Sequence, residues 1–224
     1  MKPAIFETTV ILGIPIDNLG MDEAVERIFF LADAYETDGR PRLAMAVDAT
    51  TIMGLKTKTP AISEQGAESV NSLRQADLMI PMGRLVFWAA RVVGTRLKPA
   101  FSGTQWFSRF LALAEKKKKR LFLLAGRHED IQAAVDLIKN PHPGIRIAGS
   151  GLFESQSDSK TNPPSRKHLV EQINKSAADF LLVDLSHPHA AFWLARNRHR
   201  LYVPVTLAVT GTETISSAMD RYRH

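Results

Sequence analysis

Short apolar runs alternate with longer segments of helical periodicity along this 224-residue chain, and this alternation constrains the fold most strongly. The apolar runs contain few polar residues, which is typical of strands that are covered on both faces. Strands that alternate with helices predict an α/β protein with a parallel sheet and helices on both of its faces. The predicted strands are residues 8–12, 43–47, 77–80, 121–125, 145–149, 179–185 and 203–209.

Helices are predicted between the strands, where apolar residues recur at positions i, i+3 and i+4. In the first helix Asp17 or Asn18 can cap the N-terminus, and Asp22 and Glu23 place negative charge in the first turn. The predicted helices are residues 20–35, 128–140, 165–177 and 190–201. Proline, glycine and polar residues predict two loops, at residues 36–42 and 154–165.

The composition is that of an ordinary globular protein, with 45% hydrophobic and 23% charged residues. The length favours one domain over residues 1–224. The chain has no cysteine, which excludes disulfides and thiolate metal sites and fits a cytoplasmic location. No apolar run is long enough to predict a transmembrane helix, and the N-terminal run is too polar for a signal peptide.

The net charge of +6 suits phosphates, nucleic acid or anionic lipid as partners, or simply a basic surface. The most basic run, EKKKKR (115–120), precedes a predicted strand. Cations stabilise the C-terminus of a helix, and that structural role is the favoured interpretation of this run. No aromatic residue interleaves with the lysines, so a nucleic-acid partner is not expected.

The segment IPMGR places a sharp corner between the strand 77–80 and a helix rich in apolar residues. Ligands and catalytic groups of α/β proteins usually lie at such corners. Here the corner carries Met82, followed by Gly83 and Arg84, and a thioether does not transfer protons. Taken alone, Met82 is interpreted as a residue that packs against a neighbouring element.

Two helix starts carry weak signals for phosphate binding. Gly126 and Arg127 follow a strand and precede a helix, where backbone amides attract anions. A single glycine matches neither of the usual phosphate-binding fingerprints, however. Ser102, Gly103 and Thr104 form a second helix start that serves equally as a cap or as a phosphate cradle.

Polar residues at two strand ends provide the remaining local candidates. Asp48 follows the second predicted strand and either caps a helix or contacts a substrate hydroxyl. Asp184 and His187 lie at the end of the most apolar strand, where the histidine is either an acid or base or a structural residue. No metal-binding spacing or nucleophile elbow is present. Local patterns therefore predict a small-molecule cleft without an evident catalytic set.

Six segments, taken in order, resemble the WecG/TagA/CpsF family of glycosyltransferases. They include the pieces PIDN, WAAR and WLARNR, which stand in the order that the family has. The resemblance covers nearly the whole chain, and the matching segments are 11–28, 76–95, 121–134, 143–153, 178–198 and 203–209.

The resemblance implies a Rossmann-like, three-layer α/β/α fold. It also implies transfer of N-acetylmannosamine or a related hexose from a UDP-sugar to a polyprenyl-diphosphate-linked sugar, in the synthesis of teichoic acid or other surface polysaccharides. Transfer in the family is inverting and independent of metal, so the acceptor hydroxyl needs a general base. UDP or a UDP-sugar is therefore the expected ligand, and neither a metal nor another cofactor is expected.

Carried over by position, the resemblance breaks at the polar site residues. The proposed base of the family, an aspartate, falls on Met82, and its threonine at the preceding strand end falls on Ala46. A family arginine falls on Ala100, and a family glutamine falls on Ala190. Ordinary family activity is therefore not predicted. The full set of predicted substrate-binding positions is Ala46, Gly83, Arg84, Ala100, Gly103, Thr104, Gly126, Arg127, Gly151, Phe153, Asp184 and Ala190.

Three hypotheses follow. The first is a pseudo-glycosyltransferase that binds a nucleotide-sugar or acts as a partner, in a homo-oligomer or beside an active relative. The second is an active, diverged transferase in which Asp48, Asp184, His187 or His189 replaces the base, while Arg84 or Arg127 holds the diphosphate. The third is a scaffold without a ligand. The chain is expected to lack the C-terminal appendage that brings relatives to the membrane, so peripheral membrane contact is not predicted.

Overall fold

The computed structural model describes residues 7–11, 13–49, 51–52, 72–153, 166–185 and 190–209. Eight strands occur in these ranges: β1 (Thr8–Ile11), β2 (Ile14–Asp17), β3 (Arg42–Val47), β4 (Leu78–Pro81), β5 (Arg120–Ala125), β6 (Arg146–Leu152), β7 (Phe180–Asp184) and β8 (Val205–Val209). Strands β3 to β8 form one sheet in the order β4-β3-β8-β7-β5-β6. Every neighbouring pair is parallel, which confirms the predicted sheet.

Among the described residues, the following α-helices flank the sheet: α1 (Met21–Asp38), α2 (Gly83–Val92), α3 (Gly103–Lys116), α4 (His128–Lys139), α5 (Arg166–Lys175) and α6 (Ala190–Asn197). Two short 3-10 turns lie at Ser72–Gln75 and Arg198–Arg200. The predicted helices are all present, with ends that differ by a few residues. The largest difference is at α6, which ends at Asn197 rather than at the predicted residue 201. Helix α1 continues to Asp38 and shortens the predicted loop 36–42 to three residues. The other predicted loop, 154–165, lies outside the described residues.

Two apolar layers cover the two faces of the sheet. On one face α1, α3 and α4 pack together, and the rings of Phe29, Phe110 and Phe180 meet at centroid distances of 5.1 to 5.6 Å. On the other face lie α2, α5 and α6, where the ring of Phe153 contacts that of Trp193 at 5.7 Å. Helices on both faces of a parallel sheet give the predicted three-layer α/β/α architecture.

A two-stranded antiparallel hairpin at the N-terminus was missed by the sequence analysis. β1 pairs with β2, and Thr8 lies opposite Asp17. Only one strand was predicted here, because GIPID is short and contains a proline. Ile11, Ile14 and Ile16 are completely buried in the apolar layer that contains α2. The hairpin therefore packs on the domain outside the six-stranded sheet.

The predicted caps of α1 are wrong. Gly20 is the N-cap residue, and its N–H donates to Oε2 of Glu23 at 2.8 Å. Asp17 instead accepts the N–H of Met79 at 2.8 Å, and Asn18 accepts the N–H of Lys98 at 2.7 Å. Their carboxylate and amide therefore tie the hairpin to neighbouring chain segments rather than to the helix.

The lysine-rich run 115–120 spans the end of α3, as its structural interpretation predicted. Lys117 pairs with Asp33 at 3.3 Å, and Lys119 lies between Asp33 at 3.4 Å and Asp179 at 3.7 Å. Lys117 also lies over the ring of Phe29, 5.4 Å from its centroid. These contacts give several of the cations a role within the fold.

Candidate functional site

The carboxyl ends of the parallel strands define the edge of the sheet at which a site is expected. Met82 follows β4, Asp48 follows β3, Asp184 ends β7 and Phe153 follows β6. Helices α2 and α4 begin directly beyond β4 and β5. Helices α1, α3 and α5 each lead into a strand through a short link, so they too begin near this edge. The positive ends of these helix dipoles favour an anionic ligand there.

The topological switch point lies between β5 and β7. These strands are neighbours in the sheet, but the chain after β5 continues outward to β6, whereas the chain after β7 continues inward to β8. Connections that diverge from neighbouring parallel strands leave a crevice between their carboxyl ends. Of the predicted positions, Gly126, Arg127 and Asp184 lie at this crevice.

Arg127 is the main cation of the crevice, and it is held by its own helix. It is the N-cap residue of α4, and its guanidinium pairs with Asp130 through Nη2–Oδ1 at 2.7 Å and Nε–Oδ2 at 3.1 Å. Asp130 raises the pKa of Arg127, and the charges of Glu129 and Asp184 add to this effect. A phosphate that binds here competes with Asp130 for an exposed guanidinium.

Met82 lies in the apolar core. Its side chain is 4% exposed and belongs to the layer formed with α1 and α3. Its N–H donates to the carbonyl of Val47 at 2.9 Å, which fixes the corner against β3. Gly83 follows with φ of 73°, a left-handed conformation that favours glycine. The interpretation of Met82 as a packing residue is therefore confirmed.

Asp48 caps the helical turn that begins at residue 49. Its side chain is buried, and Oδ1 accepts both the N–H of Thr51 at 2.6 Å and the hydroxyl of Thr51 at 2.7 Å. The capping interpretation is confirmed, and the role of Asp48 as a base stays a prediction. Ala46 precedes it in β3 and is 1% exposed, within the same apolar layer as Met82.

A cleft of about 580 Å³ lies between α2 and the segment 95–100. Arg84 and Ala100, two of the predicted positions, both line this cleft. Sequence reasoning missed the other cations that line it, which are Arg91, Arg96 and Lys98. The signal was present, because residues 78–114 contain no aspartate or glutamate.

The other predicted positions occupy several places. Gly103 is buried and Thr104 half-buried at the start of α3, and Ala190 is completely buried at the start of α6. Gly151 and the buried Phe153 lie at β6, the edge strand farthest from β4. His187 lies outside the described residues. Five inter-strand spacings separate β4 from β6, about 24 Å, so these positions cannot all contact one small ligand.

The described part of the chain has neither a membrane-spanning helix nor a cluster of metal ligands. None of its helices combines the length and apolar character that crossing a bilayer requires. Within the same ranges, no three histidine, aspartate or glutamate side chains come together as a metal site would require.

The strand order and the two helical layers together define a Rossmann-like α/β/α domain with its switch point between β5 and β7. The sequence model of the glycosyl transferase WecG/TagA/CpsF family matches residues 9–217. The chain therefore belongs to this family, which confirms the resemblance.

The chain is similar to three proteins that share one name. The chain is 28% identical over 145 residues to an N-acetylglucosaminyldiphosphoundecaprenol N-acetyl-beta-D-mannosaminyltransferase of Bacillus subtilis (strain 168), covering 65% of this chain and 54% of that protein. The protein of the same name from Bacillus spizizenii is 27% identical over 147 residues, covering 65% and 53%. One from Staphylococcus aureus (strain NCTC 8325) is 21% identical over 215 residues, covering 94% and 76%. The match spans about half the length of the two Bacillus proteins.

Proposed function

We propose that this protein binds a sugar nucleotide and is a catalytically impaired member of its family, with a binding or partner role in the synthesis of a cell-surface polysaccharide. The observation that carries the proposal is Met82, a buried thioether at the corner after β4. This is the position to which the resemblance assigns the aspartate base.

The proton transfer that the reaction requires supports the proposed loss of catalytic activity. Transfer to a hydroxyl requires a group that accepts the proton of the acceptor, and a thioether is only a weak hydrogen-bond acceptor. Loss of a general base costs about 10² to 10⁴ in rate. The positions assigned to the arginine and glutamine of the family hold Ala100 and Ala190, which supply neither charge nor a hydrogen bond.

Binding is supported by the crevice between β5 and β7. Helix N-termini converge on this edge, and Arg127 adds a guanidinium that suits a diphosphate. UDP is the expected diphosphate carrier, by resemblance to the family. Neither Met82 nor Ala46 lies at this crevice, so their substitution removes the chemistry without removing the anion site.

Calorimetry with UDP, followed by a transfer assay, tests both parts of the proposal. We expect saturable UDP binding that Arg127→Ala weakens and that Arg146→Ala, at the opposite edge of the sheet, leaves unchanged. We expect incorporation of N-acetylmannosamine onto a polyprenyl-diphosphate-linked acceptor at least about 10²-fold slower than by an active relative. Incorporation at the rate of the relative contradicts impairment, whereas failure to bind UDP favours the scaffold without a ligand.

A second candidate is an active, diverged transferase. The observation that favours it is Asp184, a carboxylate at the switch point whose charge contributes to the raised pKa of Arg127. In this case Asp184→Asn abolishes the transfer that the wild type shows. Asp48→Asn tests Asp48, the other candidate base among the described residues. Asparagine keeps the helix cap but cannot accept a proton as a base.

A further inference from the structure

Helix α2 and the segment that follows it present an apolar stripe beside a group of arginines. The stripe consists of Leu85, Trp88 and Val92, whose exposed fractions are 66%, 66% and 65%. Arg84 and Arg91 are exposed on the same helix, and Arg96 is exposed just beyond it. We call this surface the α2 face.

Helical spacing explains why these side chains share one surface. Leu85, Trp88 and Val92 stand at positions i, i+3 and i+7 of the helix. Arg84 precedes Leu85 and Arg91 precedes Val92, so both arginines lie along one side of the stripe. The opposite side of the helix contributes Val86 and Ala90, both completely buried. The helix is thus apolar both toward the core and toward solvent, with cations along one border. Packing of the domain alone does not require the outer stripe.

The arginines of the α2 face are not paired with any carboxylate that the structure describes. In the described part of the chain, Arg84, Arg91 and Arg96 form no ion pair with a carboxylate, whereas Lys98 pairs with Glu23 at 2.5 Å. Residues 78–114 contain no acidic residue at all. The surface is therefore both unusually apolar and cationic.

We propose that the α2 face docks on the surface of an anionic lipid bilayer. Guanidinium groups pair with lipid phosphates, and each cation near such a surface strengthens binding about fivefold. Leucine, tryptophan and valine side chains can enter the boundary between headgroups and acyl chains, where tryptophan is favoured. An apolar stripe with a cationic border is the pattern of helices that lie in this interface.

Charge disfavours a second copy of the chain as the occupant of the same surface. A two-fold symmetric contact would place each α2 face against an identical one. Arg84, Arg91 and Arg96 of one copy would then approach those of the other without a carboxylate between them. Like charges across an interface oppose association.

Docking would also orient the domain. α2 begins at the carboxyl edge of the sheet, directly after Met82. A bilayer against α2 therefore lies close to that edge, where a lipid-linked acceptor would be presented. The docking itself depends on neither sugar-nucleotide binding nor transfer, so it can fail or hold independently of the proposed function.

Tryptophan fluorescence of the 224-residue chain reports docking directly. The protein has three tryptophans, and Trp106 and Trp193 are 0% and 9% exposed, so Trp88 is the one in contact with water. We expect vesicles of phosphatidylcholine with phosphatidylglycerol to shift the emission to shorter wavelength and to protect it from acrylamide. Raised salt should weaken this binding.

Variants separate the two components of the surface. Leu85→Ser with Trp88→Ser should lower vesicle binding, measured by co-sedimentation, on the order of tenfold or more. Arg91→Gln with Arg96→Gln should lower it roughly 25-fold, about fivefold for each charge. The matched controls are Tyr202→Ser, an equally exposed aromatic residue at 66%, and Arg146→Gln, an exposed arginine at the start of β6. Both controls should bind as the wild type does.

Three results would overturn the proposal. They are no binding to anionic vesicles, equal binding to pure phosphatidylcholine, and equal binding by the variants and controls. Self-association in analytical ultracentrifugation that the Leu85→Ser and Trp88→Ser changes abolish would assign the face to a second copy instead. All substituted side chains are exposed, so circular dichroism should show the variants folded.

Discussion

At the scale of single residues, the environment of Met82 matters more than its chemistry. The side chain is buried with α1 and α3, yet the residue is also the N-cap of α2, with φ of −121° and ψ of 145°. An aspartate at such a position can accept hydrogen bonds from the first amides of the helix. Packing and capping therefore compete for this position, and a substitution measures the balance between them.

We expect Met82→Asp to lower the free energy of unfolding by about 1–4 kcal/mol, because the lost apolar burial of about 2–5 kcal/mol exceeds a capping gain of about 1 kcal/mol. Met82→Leu, which keeps the volume, should cost less than about 1.5 kcal/mol. Urea unfolding measures both values. Transfer should not appear in the aspartate variant, since Ala46, Ala100 and Ala190 are unchanged. An aspartate variant more stable than the wild type would show that capping prevails.

Close packing accounts for two glycines of β6. A Cβ atom on Gly149 would lie 2.7 Å from the ring of Phe122, and one on Gly151 would lie 2.6 Å from Cδ1 of Leu169. Phe122 is completely buried, whereas Leu169 is 8% exposed and ends in a methyl group that can rotate away. Gly149→Ala should therefore cost about 1–3 kcal/mol of stability, and Gly151→Ala less. Thermal unfolding of the pair, with the reverse order of stability as the contrary outcome, tests this explanation.

At the scale of elements, Glu23 ties the start of α1 to the segment that lines the α2 cleft. It pairs with Lys98 and accepts the N–H of Gly20. The hydrogen bond from Lys98, followed by that from Gly20, holds the pKa of Glu23 below its usual range. Because the folded-state pKa is the lower one, this stabilisation is complete above the unfolded pKa of about 4.3 and is lost as the pH falls through the folded value.

We expect Glu23→Gln to lower stability by roughly 0.5–1 kcal/mol at neutral pH, since both side chains of the pair are about 40% exposed and solvent screens them. The difference from the wild type should shrink as the pH falls below about 4. Urea unfolding across this pH range measures the change. Glu26→Gln, an exposed glutamate of the same helix, is the matched control. A deficit that persists in acid would assign the effect to packing instead of charge.

Elements with a strong period were predictable, and elements defined by long-range contacts were not. The strands β5, β7 and β8 are nearly continuous apolar runs, so their period and length identify them. The hairpin strand β2 has four residues and a proline, and only packing of its isoleucines makes it a strand. Long-range contacts also explain why the predicted caps of α1 were wrong. The hydrogen-bond partners of Asp17 and Asn18 lie 62 and 80 residues away in the sequence.

At the scale of the molecule, the sequence predicted the carboxyl edge but not the geometry of one site. Asp184, Gly126 and Arg127 meet at the switch point because the strand order places β5 beside β7, and no local pattern reveals that order. Arg84 and Ala100 lie instead at the α2 cleft near the other end of the sheet. Residue types at strand ends were therefore informative, whereas their grouping required the topology.

We expect the N-terminal hairpin to open without unfolding of the whole domain. It pairs outside the six-stranded sheet, and Asp17 links it to β4. Strands β7 and β8 lie at the centre of that sheet, with residues no more than 5% exposed apart from the half-buried Asp184. Amides of β7 and β8 should therefore exchange with solvent only on global unfolding, and those of the hairpin through a smaller opening.

Two substitutions test this difference by native-state hydrogen exchange. Phe180→Leu acts on the opposite apolar layer, so it should lower the opening free energy of β7 and β8 by about 1–2 kcal/mol and leave that of the hairpin unchanged. Asp17→Ala leaves the N–H of Met79 without its acceptor, and should lower both opening free energies equally, by about 1–3 kcal/mol, because the bond is broken in both open states. Thr8→Ala is the control, because it removes only the hydrogen bond from the Thr8 hydroxyl to Asp17 within the hairpin. It should lower the opening free energies by a smaller amount. If Phe180→Leu weakens the protection of the hairpin as much as that of β8, the hairpin opens only with the whole domain.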